Sequence, residues 1–283
     1  MNEDAQLSEG TQEKPAQEEP APEKEAQSQE APKPPSVRVR IRRGGAAGDP
    51  DEHFDEFQVE TGPRMTVLDA LVAVQSAQEP TLSFRYSCRV GMCGTCALKV
   101  NGRPAWACRT RLEGLGDEIT LEPLANFPVL SDLAVDMSPF FEKMKRARGW
   151  LEPTSLAEKA PALIAPNSRE RKRIEPHIEC ITCGICYASC SIVGHDSDYL
   201  GPAALNRAYT LVNDSRDALG LERLLEVCTE DGAWRCHSQY NCTESCPKGI
   251  SPTGAIKGLK RRAVAGGVKR FAASIFRGRA PGA

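Results

Sequence analysis

"CITCGICYASCS", residues 180–191, places four cysteines in eleven positions, and "CHSQYNCTESCP", residues 236–247, is an imperfect copy of it. The first run reads Cys180-x2-Cys183-x2-Cys186-x3-Cys190. The second keeps Cys236, Cys242 and Cys246, followed by Pro247, with Gln239 where a cysteine would fall. This is the bacterial ferredoxin spacing, in which the fourth cysteine of a run ligates the other run's cluster. The crossing assigns Cys180, Cys183, Cys186 and Cys246 to a [4Fe–4S] cluster. It leaves Cys190, Cys236 and Cys242 for the other. A glutamine amide is a poor iron ligand beside thiolates, so three cysteines suit a cubane missing one iron, [3Fe–4S].

Upstream, Cys88-x4-Cys93-x2-Cys96-x11-Cys108 is the plant-type [2Fe–2S] spacing. Gly91 and Gly94 let "CRVGMCGTC" wrap as a loop. "ALKVNGRPAWAC" (97–108) then reads as a hairpin whose Asn101-Gly102 turn tolerates positive φ. In that register Cys96 lies opposite Ala107, and Cys108 returns to the loop. A four-cysteine zinc site is the competing reading, but zinc usually takes two CxxC pairs, and here one pair stands with two spaced singles. The twelfth cysteine, Cys228, ends an amphipathic helix and reads as a buried hydrophobe.

Clusters of this type argue against disulfides, as does the N-terminus, which has neither a signal-peptide apolar stretch nor an arginine before position 38. No run of about 18 apolar residues exists, so no transmembrane segment is expected. Residues 1–36 hold nine Asp or Glu and three Lys and read as a disordered acidic tail.

The chain then divides. Residues 37–138 read as a small, mostly β domain. "SVRVRIRR" and "FQVET" are strands, "GGAAGDPDEHFDE" is a loop between them, Thr66 with Asp69 starts a helix, and "EITLEPL" is a closing strand. Residues 139–176 are the passage between domains, with "APALIAPNSRERKR" as an irregular connection. Residues 177–265 read as helical, with helices over 202–212, 221–228 and 251–264, the last capped by Ser251 and Pro252. Residues 266–283 form a basic tail, with Gly266-Gly267 interrupting any long helix. Residues 257–283 carry eight Lys or Arg and no acid, which suits anionic lipid or the loops of an anchor protein. The fold class is therefore α+β: a plant-type ferredoxin domain of β-grasp type, then a mostly α-helical bacterial-ferredoxin-like domain.

"YSCRVGMCGTCALKVNGRPAWACRT", "CITCGICYASC", "YLGPAAL", "DSRD" and "RCHSQYNCTESCPKGISPTGAI" together resemble the iron–sulfur subunit of succinate dehydrogenase or fumarate reductase, respiratory complex II. The resemblance spans residues 37–265. It implies a wire rather than a catalytic pocket. Electrons would pass from an FAD-containing flavoprotein subunit through [2Fe–2S], [4Fe–4S] and [3Fe–4S] to a quinone shared with membrane-anchor subunits and any haem they bear. It implies a peripheral position on the cytoplasmic face of a prokaryotic membrane, in either the succinate-oxidising or the fumarate-reducing direction. No nucleic-acid partner is expected. His237 matches a family histidine near the quinone. Ser191 stands where the family often has proline, in the same neighbourhood. No tryptophan pair follows Ser191, a feature shared with menaquinone-using members. His53, His177 and His195 read as ordinary surface, linker or loop residues.

Overall fold

The computed structural model describes residues 35–45, 49–154 and 162–277, and the acidic segment 1–34 lies outside them. Ser36, expected at the end of the tail, already begins a strand. β1 (Ser36–Arg43) buries Val37, Val39 and Ile41, the alternate positions of its sequence. It pairs antiparallel with β2 (His53–Glu60) and parallel with β5 (Glu118–Glu122). β2 begins at His53 rather than Phe57, because the ladder with β1 continues to Arg43↔His53 and orders residues read as loop. β3 (Ala97–Val100) and β4 (Arg103–Trp106) form the expected hairpin, with Asn101 at φ 49° and Gly102 at φ 76°. The sheet order is β2-β1-β5-β3-β4.

α1 (Val67–Ala77) supplies Val67, Leu68, Leu71 and Val74 to this core. Thr66 and Asp69 form a reciprocal capping box at its start, an arrangement worth about 0.5–2 kcal/mol. A small β6–β7 pair (Val129–Ser131, Ala134–Val135) follows, unannounced by the sequence pattern.

The second half is helical. α2 is Ser138–Arg146. α3 (Arg169–Ile178) takes in the last five residues of the stretch expected to be irregular, because the Ser168 hydroxyl accepts from the Arg171 N–H and starts a helix there. α4 (Ile185–Ala188) and α5 (Ser191–His195) are short, α6 (Gly201–Val212) is almost wholly buried, and α7 is Gly220–Val227. α8 (Asn241–Glu244) precedes α9 (Pro252–Arg277). Ser251 accepts from the Gly254 N–H at the start of α9, as expected. The helix does not break at Gly266-Gly267; it runs on to Arg277. The proposed lipid-facing side chains beyond residue 266 lie outside the described residues.

Both halves belong to one compact unit beginning at Pro34. A buried pair fixes the helical half to the segment after α2. Arg223 and Asp217 are both inaccessible and 2.8 Å apart. Arg223 also donates to the carbonyls of Ala147, Arg148 and Trp150, and Asp217 accepts from the N–H groups of Glu152 and Leu219.

Candidate metal centres

The two ferredoxin runs are closer copies in backbone than in sequence. Thr182 and Gly184 have φ of 54° and 81°; Ser238 and Tyr240, at the same steps after Cys236, have 59° and 68°. Each run then enters a one-turn helix, α4 or α8. Gly184 is required by space as well as by φ, since a Cβ there would lie 3.0 Å from the Phe127 ring. Tyr240 adopts the left-handed conformation without glycine's freedom, a strain typical of functional loops.

Cys180, Cys183, Cys186 and Cys246 line one cavity, with Ile181, Ala203 and Ile250 among its walls. Burial pushes the first three thiols up, and their mutual repulsion and that of Cys246 adds to it. Cys190, Cys236 and Cys242 line a second cavity with Tyr199 and Gln239. Cys190 and Cys242 are also raised by burial, with Cys236 contributing to both. Cys246 thus sits with the first run and Cys190 with the second. Gln239 stands at the second cavity's edge, its carbonyl accepting from the Ser191 hydroxyl at 2.5 Å. Ser191, His237 and Gln239 are all exposed, so this cavity has a solvent-facing side.

In the first half, the Cys88 thiol is pulled down to about 6 by the Val90 N–H, the Cys93 thiol and the Met92 N–H. The N–H groups of Met92 and Cys93 both lie 3.3 Å from its sulfur. Burial drives Cys96 up to about 12, with Cys108 and Cys93 as its charged neighbours. The Ala107 N–H donates to the Cys96 carbonyl, the predicted register, and brings Cys108 beside Cys96. The four thiols therefore share one neighbourhood.

Among the described residues, no three His, Cys, Asp or Glu side chains converge tightly enough for a single ion. One zinc needs its thiolates about 2.3 Å from a common point. N–H groups point at the sulfurs of Cys88 and Cys236. Cys228 is half-buried, its thiol raised to about 11 by burial, and it shares none of these cavities.

Three contributors escaped the sequence reading. Asn126 donates through Nδ2 to the carbonyls of Tyr187, Ala188 and Cys190, closing the end of α4 from the other half of the molecule. Its φ of 66° is the only local sign, and φ is not visible in sequence. His177 is half-buried rather than a plain linker residue. Its Nδ1 meets Asn206 Oδ1 at 2.7 Å, and Asn206 returns a bond to the His177 carbonyl. Lys143 is buried, its ammonium 5.0 Å from the Tyr187 ring centroid.

A family model described as a 2Fe-2S iron-sulfur cluster binding domain matches residues 38–142, and one described as a 4Fe-4S dicluster domain matches residues 177–250. The fumarate reductase iron-sulfur subunit of Haemophilus influenzae is 34% identical, covering 78% of this chain and 91% of its own length. A mitochondrial succinate dehydrogenase iron-sulfur subunit of Oryza sativa is 36% identical over 75% of this chain and 78% of its own. Among solved structures, a chain of the Mycobacterium smegmatis Sdh1 complex in the apo form superposes with a TM-score of 0.70 at 29% identity, covering 80% of this chain and 95% of that one.

Proposed function

The chain belongs to the family of iron–sulfur subunits of succinate dehydrogenase and fumarate reductase, and on that premise we propose how its residues divide the work of electron transfer. Cys88, Cys93, Cys96 and Cys108 hold a [2Fe–2S] cluster. Cys180, Cys183, Cys186 and Cys246 hold [4Fe–4S]. Cys190, Cys236 and Cys242 hold [3Fe–4S], with Gln239 at the corner without iron. When bound, these clusters supply a one-electron relay between a flavin and a quinone. The observation that carries the reading is the exchange of Cys246 and Cys190 between the two cavities.

The protein's own residues set the conditions at each site. N–H groups from Val90, Met92 and Cys93 favour the Cys88 thiolate. Apolar residues wall the cavity of Cys180, Cys183, Cys186 and Cys246, and Ala203, Ile250 and Ile181 shape it. Val90 and Met92, 60% and 67% exposed, flank the first set and offer an apolar landing for an FAD-containing flavoprotein subunit. Ser191 and His237, with exposed Trp234 and Tyr240, form the neighbourhood for a quinone and for membrane-anchor subunits. No helix among the described residues is long and apolar enough to cross a membrane. In this reading the subunit sits peripherally, on the cytoplasmic face of a prokaryotic membrane, as the family's place in membrane-bound complexes suggests, and its complex works as a succinate:quinone oxidoreductase.

Affinity isolation from solubilised membranes tests this. Co-purification of a flavin-bearing subunit and an anchor, with succinate-driven quinone reduction, is expected. A colourless, zinc-loaded chain that purifies alone would overturn it.

A further inference from the structure

The first turns of α9 are held by the protein body. Ala255, Ile256 and Leu259 are buried, and Ala263 still packs on the core. Gly266 is beside α7, where an added Cβ would lie 4.0 Å from Leu221 Cδ1. The Arg262 guanidinium meets Asn213 Oδ1 at the end of α6, on the same inner side. The helix then runs on to Arg277.

Another face of α9 follows the third cysteine set. The Lys257 ammonium lies 4.6 Å from the Tyr240 ring centroid, and Lys260 donates to the Cys236 carbonyl at 2.7 Å. Lys260 also lies 5.7 Å from the Trp234 ring centroid. Val264, two turns beyond Lys257 and so on its face, is 56% exposed. Val268, Phe271 and Ile275 follow Val264 in steps of four, three and four, the helix period, and occupy the same stripe of the backbone. Arg262, Lys269, Arg270 and Arg277 fall at the opposite positions. The chain carries no acid from residue 257 onward. An apolar stripe opposite a basic one is the pattern of a helix that lies in the plane of a bilayer interface. A polar face of one sign suits the continuous negative surface of anionic lipid.

We propose that this stripe of α9, from Val264 to Ile275, lies in the headgroup layer of an anionic bilayer, a lipid contact made by this chain itself beside its third site. The proposal deepens the reading of the third site as the quinone-facing one, and rests on it for which side of the molecule meets the membrane.

The test floats the purified full chain, with its clusters and without an anchor subunit, on two kinds of vesicle. One contains equal parts of phosphatidylglycerol and phosphatidylcholine, and the other phosphatidylcholine alone. Binding to the anionic vesicles, weakened by added salt, is expected, with little binding to the neutral ones. Val264→Glu with Phe271→Glu puts charge into the stripe and should lower binding at least tenfold. Lys269→Ala with Arg270→Ala should lower it about thirtyfold. Iron content and cluster EPR should match the wild type in both double variants, since no thiol is touched. Equal binding to both vesicles, or binding that survives both double variants, overturns the proposal. So does a chain that binds an isolated anchor subunit and neither vesicle, which would make the stripe a protein contact. A wild-type chain that floats on anionic vesicles but shows no oxidised [3Fe–4S] signal overturns the reading of the third site and leaves the lipid contact standing.

Discussion

The Ser191 hydroxyl donates to the Gln239 carbonyl oxygen at 2.5 Å, tying the residue after one thiol of the third set to the residue that replaces its missing cysteine. The pair is exposed, so Ser191→Ala should cost no more than about 1 kcal/mol of stability. It should leave iron content unchanged, because no thiolate is gained. Gln239→Cys should behave differently. A fourth thiolate there completes a cubane site, and cluster type and net charge change together, lowering the potential. A fall of about 120 mV would disfavour reduction of that centre about a hundredfold. Redox titration of the third cluster checks it. Reduction of a dye that takes electrons upstream should survive while quinone reduction slows.

Gly94→Ala should disrupt the second site and strain the loop of the first. Gly94 has φ +72°, and its added methyl would meet Cys183 Cβ at 2.5 Å and Cα at 2.9 Å. Neither atom belongs to a flexible side-chain end, so the two halves must part. A loss of about 2–4 kcal/mol is expected. Thermal unfolding should show a lower midpoint, and cluster-specific EPR should show both the [4Fe–4S] and the [2Fe–2S] signals diminished.

Asp217→Ala should be among the most destabilising single changes in the helical half. It strands the fully buried Arg223 guanidinium, which keeps only backbone carbonyls. Removing one partner of a buried ion pair costs about 3–5 kcal/mol. Denaturant unfolding measures it. A double change to apolar residues at 217 and 223 should recover much of the loss.

His177 gives a pH dependence. Burial lowers its pKa from 6.5, and the Asn206 bond offsets only part of that. The unfolded chain therefore takes up a proton first as pH falls, and stability rises with pH wherever the unfolded state binds more protons. The stability present above about pH 6.5 is lost as pH drops through the lower, folded value. His177→Gln keeps a partner for Asn206 and cannot titrate. Its melting temperature should change less across that window than the wild type's.

The cysteine spacing exposed the class of the centres because ligand order is written along the chain, and the Asn101-Gly102 turn exposed the hairpin because few residues tolerate positive φ. The Thr66–Asp69 box was legible for the same local reason. What stayed hidden depends on distant partners. β2 gains its first four residues from a ladder with β1. α3 follows a cap at Ser168 inside a stretch read as an irregular connection. The long run of α9 through four glycines, Gly266-Gly267 among them, goes against intrinsic propensity. The contacts of Asn126 and Gly94 join residues from 60 to 90 positions apart and leave no periodic trace.

Iron analysis combined with EPR of the oxidised and reduced complex tests the central claim most directly. The account predicts about nine irons per chain, with two, four and three at the successive sites, and a [3Fe–4S] signal in the oxidised sample. About ten irons with no oxidised [3Fe–4S] signal would contradict the role given to Gln239, and zinc in place of iron would contradict the account as a whole.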